Sequence, residues 1–243
     1  MKTNRPTHPS SSDKEKKGEG KVTIRVPLSW EALTDHQRTY LCTMLAGGGW
    51  QSDEVKALLL LRLSGLRPDR ARWAKDQIAQ HLDLLGWIDS PPESPSRLTA
   101  IDGHPALEAM LYGVPFRTYL AIENYYQAYI TTREPQAIDA LARELYPGLN
   151  RQPTPAEQYM IILWIIGLKT TYARLFPHLF SSTATDPDSA PDPRQIMNAE
   201  IRALTGGDIT KLEAVLSSAT IDALTELDAK AHEAKEMEKA MKG

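Results

Sequence analysis

The chain has a single cysteine, Cys42, among 243 residues. That excludes an internal disulfide framework and fits a reducing compartment, so a cytoplasmic protein is expected. Cys42 itself is expected to be a small buried hydrophobe on a helix. The opening MKTNRPTHPSSSDKEKKGEG has no apolar stretch, so no secretory leader is expected. No apolar run is long enough for a bilayer, which needs roughly 20 residues. The longest, Tyr159 to Leu168, has ten and is bounded by Glu157 and Lys169. No strong charge of either sign is present: the net charge is −3 and the pI about 6.1, which gives no global basic field for nucleic acid.

Signatures of chemistry are missing too. The six histidines, His8, His36, His81, His104, His178 and His232, contain no pair at i, i+4 spacing, and none has a cysteine nearby. Neither signal of a zinc site is there, so no metal is expected. Gly47-Gly48-Gly49 is not followed by the Lys-Ser/Thr pair with which a phosphate loop cradles its nucleotide. No Gly-x-Ser-x-Gly elbow occurs. Glu123 sits among aromatic residues, but a lone Glu on a helix is normally a surface group. No cofactor and no enzymatic activity are expected. An enzyme would require a polar, concave pocket with perturbed titratable groups.

What is present is helix signal. Apolar residues make up 42% of the chain, enough for a core. Thr154 to Phe180 is the most apolar segment and opens with a capping box: Thr154 as N-cap, Pro155 at the first helical position, Glu157 three residues after the cap. A helix apolar on every face must be surrounded by protein or lipid, and its length favours protein. Pro177 should end or kink it near Ala173 to Phe176. Other helices are predicted over Asp35 to Leu45 (Thr34 cap, Gln37 box), from Ser52 to Gly65, over Asp69 to Leu85, Phe116 to Thr131 and Gln136 to Tyr146. Three more follow Asp192-Pro193, Asp208 and Thr220. Tyr119, Ile122, Tyr126 and Tyr129 share one face of the aromatic helix. His178, just past Pro177, is expected to be a packed or half-exposed helix-end residue.

Strand signal is minor. Lys21 to Pro27 alternates Val22, Ile24 and Val26 with polar residues, the pattern of a half-buried strand. Trp87 and Ile88, Arg97 to Ile101, and Ala106 to Val114 are predicted as further extended pieces. The fold class is therefore mainly α, a multi-helix globular domain with a minor β element. Residues 1–20 are expected to be a disordered tail, 21–115 a helical subdomain with a small sheet, and 116–243 a helical subdomain around the central helix 155–176.

Strand, three helices, then an extended pair around DSPPESPS is also the order of a winged-helix module. Arg70, Arg72 and Lys75 would then enter a major groove. Yet residues 66–100 hold five basic and five acidic side chains, and DNA affinity comes mainly from neutralising phosphates. DNA binding is thus the alternative reading. The last helix offers another surface: Leu224, Leu227, Ala231, Ala234, Met237 and Met241 recur at 3- and 4-residue steps with charges on the other faces. A partner could pack on such a stripe, and Met suits an adaptable contact.

Three segments carry a family resemblance: KVTIRVPLSWEALTDHQRTYLCTML, GVPFRTYLAIENYYQAYI, and AEIRALTGGDITKLEAVLSSATIDALTELDAKAHE. They cover roughly a third of the chain and are similar to small helical proteins encoded in prophage tail modules. The N-terminal tail lies outside the match. The resemblance implies a tail-assembly chaperone: a helical adaptor that holds a tail component. It transfers no active-site residues. The leading expectation is thus a non-enzymatic protein-binding assembly factor with a tail or assembly protein as partner.

Overall fold

A computed structural model of the chain describes residues 25–49, 51–65, 78–180 and 193–242. It is mainly helical with one two-stranded antiparallel sheet. The N-terminal part holds α1 (Asp35–Ala46) and α2 (Asp53–Ser64), a 3-10 helix (Leu82–Asp89), and a hairpin of β1 (Ala100–Ile101) with β2 (His104–Pro105). There follow α3 (Phe116–Thr132), α4 (Pro135–Leu145), α5 (Pro155–Leu175), α6 (Pro193–Thr205), α7 (Leu212–Ser217) and α8 (Thr220–Lys242).

α5 is the axis. Its start matches the sequence signal: Thr154 accepts from the Glu157 amide at 3.3 Å, and Glu157 accepts from the Thr154 amide at 2.7 Å. Arg151 adds a bidentate contact to Glu157, 2.8 Å on both nitrogens. Burial opposes ionisation of Glu157, but the hydrogen bonds from Arg151 and Thr154 outweigh it and hold the carboxyl below its ordinary range. Trp164, with no exposed surface, sits mid-helix and donates to the Ala109 carbonyl at 2.8 Å. Tyr146 meets it edge-on. α1 packs along α5 and seals Leu41 and Cys42 from solvent. The Cys42 thiol lies 3.8 Å from the Met160 sulfur, and burial pushes its pKa up to about 12, so it is a packing group. One stripe of α5 is only partly covered: Tyr159 is exposed, and Ile162 and Ile166 are half-buried.

DSPPESPS runs along α5 as a strap. The Glu93 carbonyl accepts from Thr171 at 3.2 Å and from Arg174 at 2.6 Å. Ser94 donates to Glu31, and Ser96 donates to the Trp30 carbonyl. The strap comes so near the helix that a Cβ on Gly167 would overlap the Ser94 carbonyl. This is the close approach that demands glycine.

Three expectations of extended structure come out differently, and a fourth is described only in part. Of Lys21 to Pro27, residues 21–24 lie outside the described residues, and Arg25 to Leu28 forms no strand. Pro27 has no N–H to give a ladder, and the sheet is just two residues long in each strand. Trp87 and Ile88 are not extended but belong to the 3-10 helix, where the Trp87 ring stands edge-on to Trp30 at 5.3 Å. Ala106 to Val114 contains no strand. Glu108 accepts from the amides of Met110 and Tyr112, both at 3.0 Å, and so gives this backbone turns instead of a ladder. Finally, the hairpin does not surround the Pro-rich segment. It follows it, closing on Asp102 and Gly103, both with positive φ, as a two-residue turn requires.

The replacement Gly167→Ala tests the strap. Its methyl must push Ser94 off α5, at a cost of roughly 2–4 kcal/mol. Urea unfolding should register that loss, while Gly113→Ala, where a Cβ meets nothing within 4 Å, should leave the midpoint nearly unchanged.

Candidate functional site

The sequence-derived candidates fall in different places. Leu224 and Leu227 of α8 are buried against the body of the protein, 0% and 4% exposed. Ala231 is half-buried; Ala234, Met237 and Met241 are exposed, the two methionines at 64% and 81%. The stripe therefore changes role along its length, from core to projecting surface. The boundary is built by side chains. Asp228 accepts from the amides of His178 and Leu179 at 2.7 and 2.8 Å. Lys235 donates to the His178 carbonyl at 2.9 Å, and the rings of His178 and His232 meet at a tilt of 34°, their centres 4.2 Å apart. His178 is thus a half-buried, packed residue beyond the end of α5. Arg70, Arg72 and Lys75 lie outside the described residues.

A concavity lies elsewhere, between α3, α5 and α6. It is a cleft of about 780 Å³. Tyr119 and Leu120 of α3, Leu179 and Phe180 after α5, and Ile196 and Met197 of α6 give it apolar walls. Beyond Leu120, Asn124 and Met197 it adjoins a second hollow of about 540 Å³, bordered by Arg117, Ala121, Tyr125 and Ile201. The cleft exists because α6 is a light wall. It is amphipathic, and among its described side chains, Arg194 to Thr205, only Thr205 is buried.

Three charged residues meet in the cleft: Glu123, Lys169 and Glu200. Lys169 ends the apolar run of α5 and forms an ion pair with Glu123, which also accepts from Gln127 at 2.8 Å. The Lys169 ammonium lies 5.4 Å from the centre of the Tyr126 ring, a cation–π distance. Glu200, on α6, is half-buried. Burial first, and the nearby Glu123 charge second, push its pKa up to about 7, against the pull of Lys169. Burial also raises the Tyr119 phenol well above its usual range, aided by Glu123 and Glu200.

Sequence reasoning reached Glu123 only as an ordinary surface residue and did not reach Lys169 or Glu200. The three lie 46 and 31 positions apart along the chain (123 to 169, 169 to 200), so no local spacing links them. The one available signal was Lys169, a charge set directly against a ten-residue apolar run. Among the described residues no group of three or more His, Cys, Asp or Glu could hold a metal ion, and no helix is long and apolar enough to cross a membrane. Compared with protein-family models, curated proteins and solved structures, the chain matches none.

The Glu200 environment has a stability consequence. A carboxyl whose pKa is raised by folding adds stability below its unfolded value, here near 4.5, and loses it as pH climbs through about 7. Glu200→Gln removes the titration. At pH 4 the variant and the parent should melt nearly together; at pH 8 the variant should be more stable by about 1–3 kcal/mol, allowing for partial exposure. Equal differences at both pH values would contradict the placement of Glu200.

Proposed function

We propose that this chain is a non-enzymatic protein-binding assembly factor, and that the cleft between α3, α5 and α6 seats a segment of its partner. One observation carries the reading: an open, apolar-walled cleft continuous with a second hollow, bordered by a helix that buries little of itself. Ligand sites are concave and mostly apolar, with a few polar groups to fix orientation. Two adjoining hollows along one face of α3 suit a stretch of chain better than a single small molecule. Peptide segments bind such grooves by placing apolar anchors at helical or extended spacing. The projecting end of α8, with Ala234, Met237 and Met241, would extend the contact area. The resemblance to prophage tail-module proteins supplies the finer proposal that the partner is a tail component and the work a chaperone's.

A second reading has one specific observation behind it. A half-buried carboxyl with a pKa near 7 in a concave site is what a general acid or base needs. Among the described residues that line the cleft, the one hydroxyl is the Tyr119 phenol, whose raised pKa opposes activation. Binding is therefore the preferred reading. The DNA-binding alternative rests on Arg70, Arg72 and Lys75, where the surrounding sequence is electrically balanced.

A photoreactive amino acid placed at Asn124, an exposed position in the cleft, tests the binding reading in cells that carry the native gene. It should give a discrete cross-link to one protein. The same probe at Leu58 on α2, 55% exposed, should not give that product. Identical products from both positions, or none from Asn124, would contradict the proposal.

A further inference from the structure

We propose that the cleft reads a basic side chain: a lysine or arginine within an apolar stretch of the partner enters between α3 and α6 and pairs with the Glu200 carboxylate. This rests on the cleft being the partner site and names the chemistry it selects.

Charge complementarity points to this ligand chemistry. Glu123 is already committed, held by Lys169 and Gln127. Its charge and that of Lys169 cancel. Glu200 is left over: among the described residues no hydrogen bond or ion pair engages it. A half-buried carboxylate without a partner is costly, and an opposite charge in the same cavity offsets that cost. The groups that face it are Glu123 and Tyr119 from α3 and Lys169 from α5. α7 and α8 also pack on α6, but Glu213 is engaged by Arg117, Glu226 by Lys230, and Asp228 by the backbone of His178 and Leu179. Among the described residues Lys169 is the one cation that acts on Glu200. The apolar walls add the second half of the specificity. Phe180, Ile196 and Met197 would cover the aliphatic stem and its apolar neighbours, so a lone charged group gains little there.

Binding is then linked to a proton. A basic side chain pairs with the ionised carboxylate alone, so the competent fraction falls as Glu200 protonates. With a pKa near 7 in the free protein, affinity should fall about 25-fold between pH 7.5 and pH 5.5.

The test uses the intact chain and a phage-displayed library of random peptides, panned at pH 7.5 on the parent protein. A recovered peptide is synthesised with a fluorophore and titrated by anisotropy against the parent and Glu200→Gln, whose fold is checked by circular dichroism. The expected peptides carry one Lys or Arg flanked by apolar residues. Exchanging that residue for norleucine should weaken binding at least about tenfold. The pH dependence should vanish in Glu200→Gln. Peptides that bind the cleft without a basic residue, or an equal pH dependence in the variant, would overturn this inference and leave the assembly-factor reading standing. A library that yields no cleft binder would overturn both. If 4-phenylbutylamine alone binds as tightly as the peptides, the ligand is a small organic cation and the partner segment is the wrong source.

Discussion

Burial of α5 is the constraint on which the rest of the structure depends. Nine of its 21 residues are buried, including Trp164 at its middle and Tyr172 near its end. Removing side chains of that size from water stabilises by a few kcal/mol each, roughly 25 cal/mol per Å² of apolar surface. The chain therefore wraps α5. α1 covers one face, the Pro-rich strap crosses another at Gly167, and the Ala106–Val114 turns supply carbonyls to Trp164 and Tyr172. The capping box and Arg151 fix where the helix begins, and Phe176-Pro177 fixes where it stops.

The cleft follows from the same helix. Where the apolar run ends, Lys169 needs a partner, and Glu123 on α3 provides it. That pair sits on the side of the bundle where α6 crosses. α6 brings Glu200 to the same place with nothing left to neutralise it. A strongly packed helix would expel the charge or bury it at great cost. A lightly packed one can leave it facing an open space. Packing and electrostatics thus meet at one point: a lightly packed helix carries a half-buried carboxylate that no described residue pairs with.

Most helices among the described residues were legible in the sequence because their signals are local; of the expected helix Asp69 to Leu85, residues 69–77 lie outside the described residues and 82–85 are 3-10. Thr34 with Gln37, Ser52, and Thr154 with Glu157 cap the helices they announce, and Gly65 ends α2 with a positive φ. The short extended pieces were not legible, because their fate is set by tertiary contacts. Trp87 is drawn into a 3-10 turn by Trp30, and Glu108 captures backbone amides that a strand would need. The stripe on α8 was legible as a stripe, but its division into core and projection depends on where Asp228 and Lys235 grip the end of α5. The cleft was not legible at all. Its charged residues come from three helices, and apart from Lys169 at the end of the apolar run each alone looks like an ordinary surface position.

The central claim is a rigid core about α5 with α6 as a lightly held wall. Amide hydrogen exchange measures this directly, because it reports the local opening free energy of each helix. The account predicts that the Met160–Leu168 amides exchange among the slowest in the protein, and that α6 exchanges at least about 100-fold faster. Equal protection of α6 and α5 would contradict it.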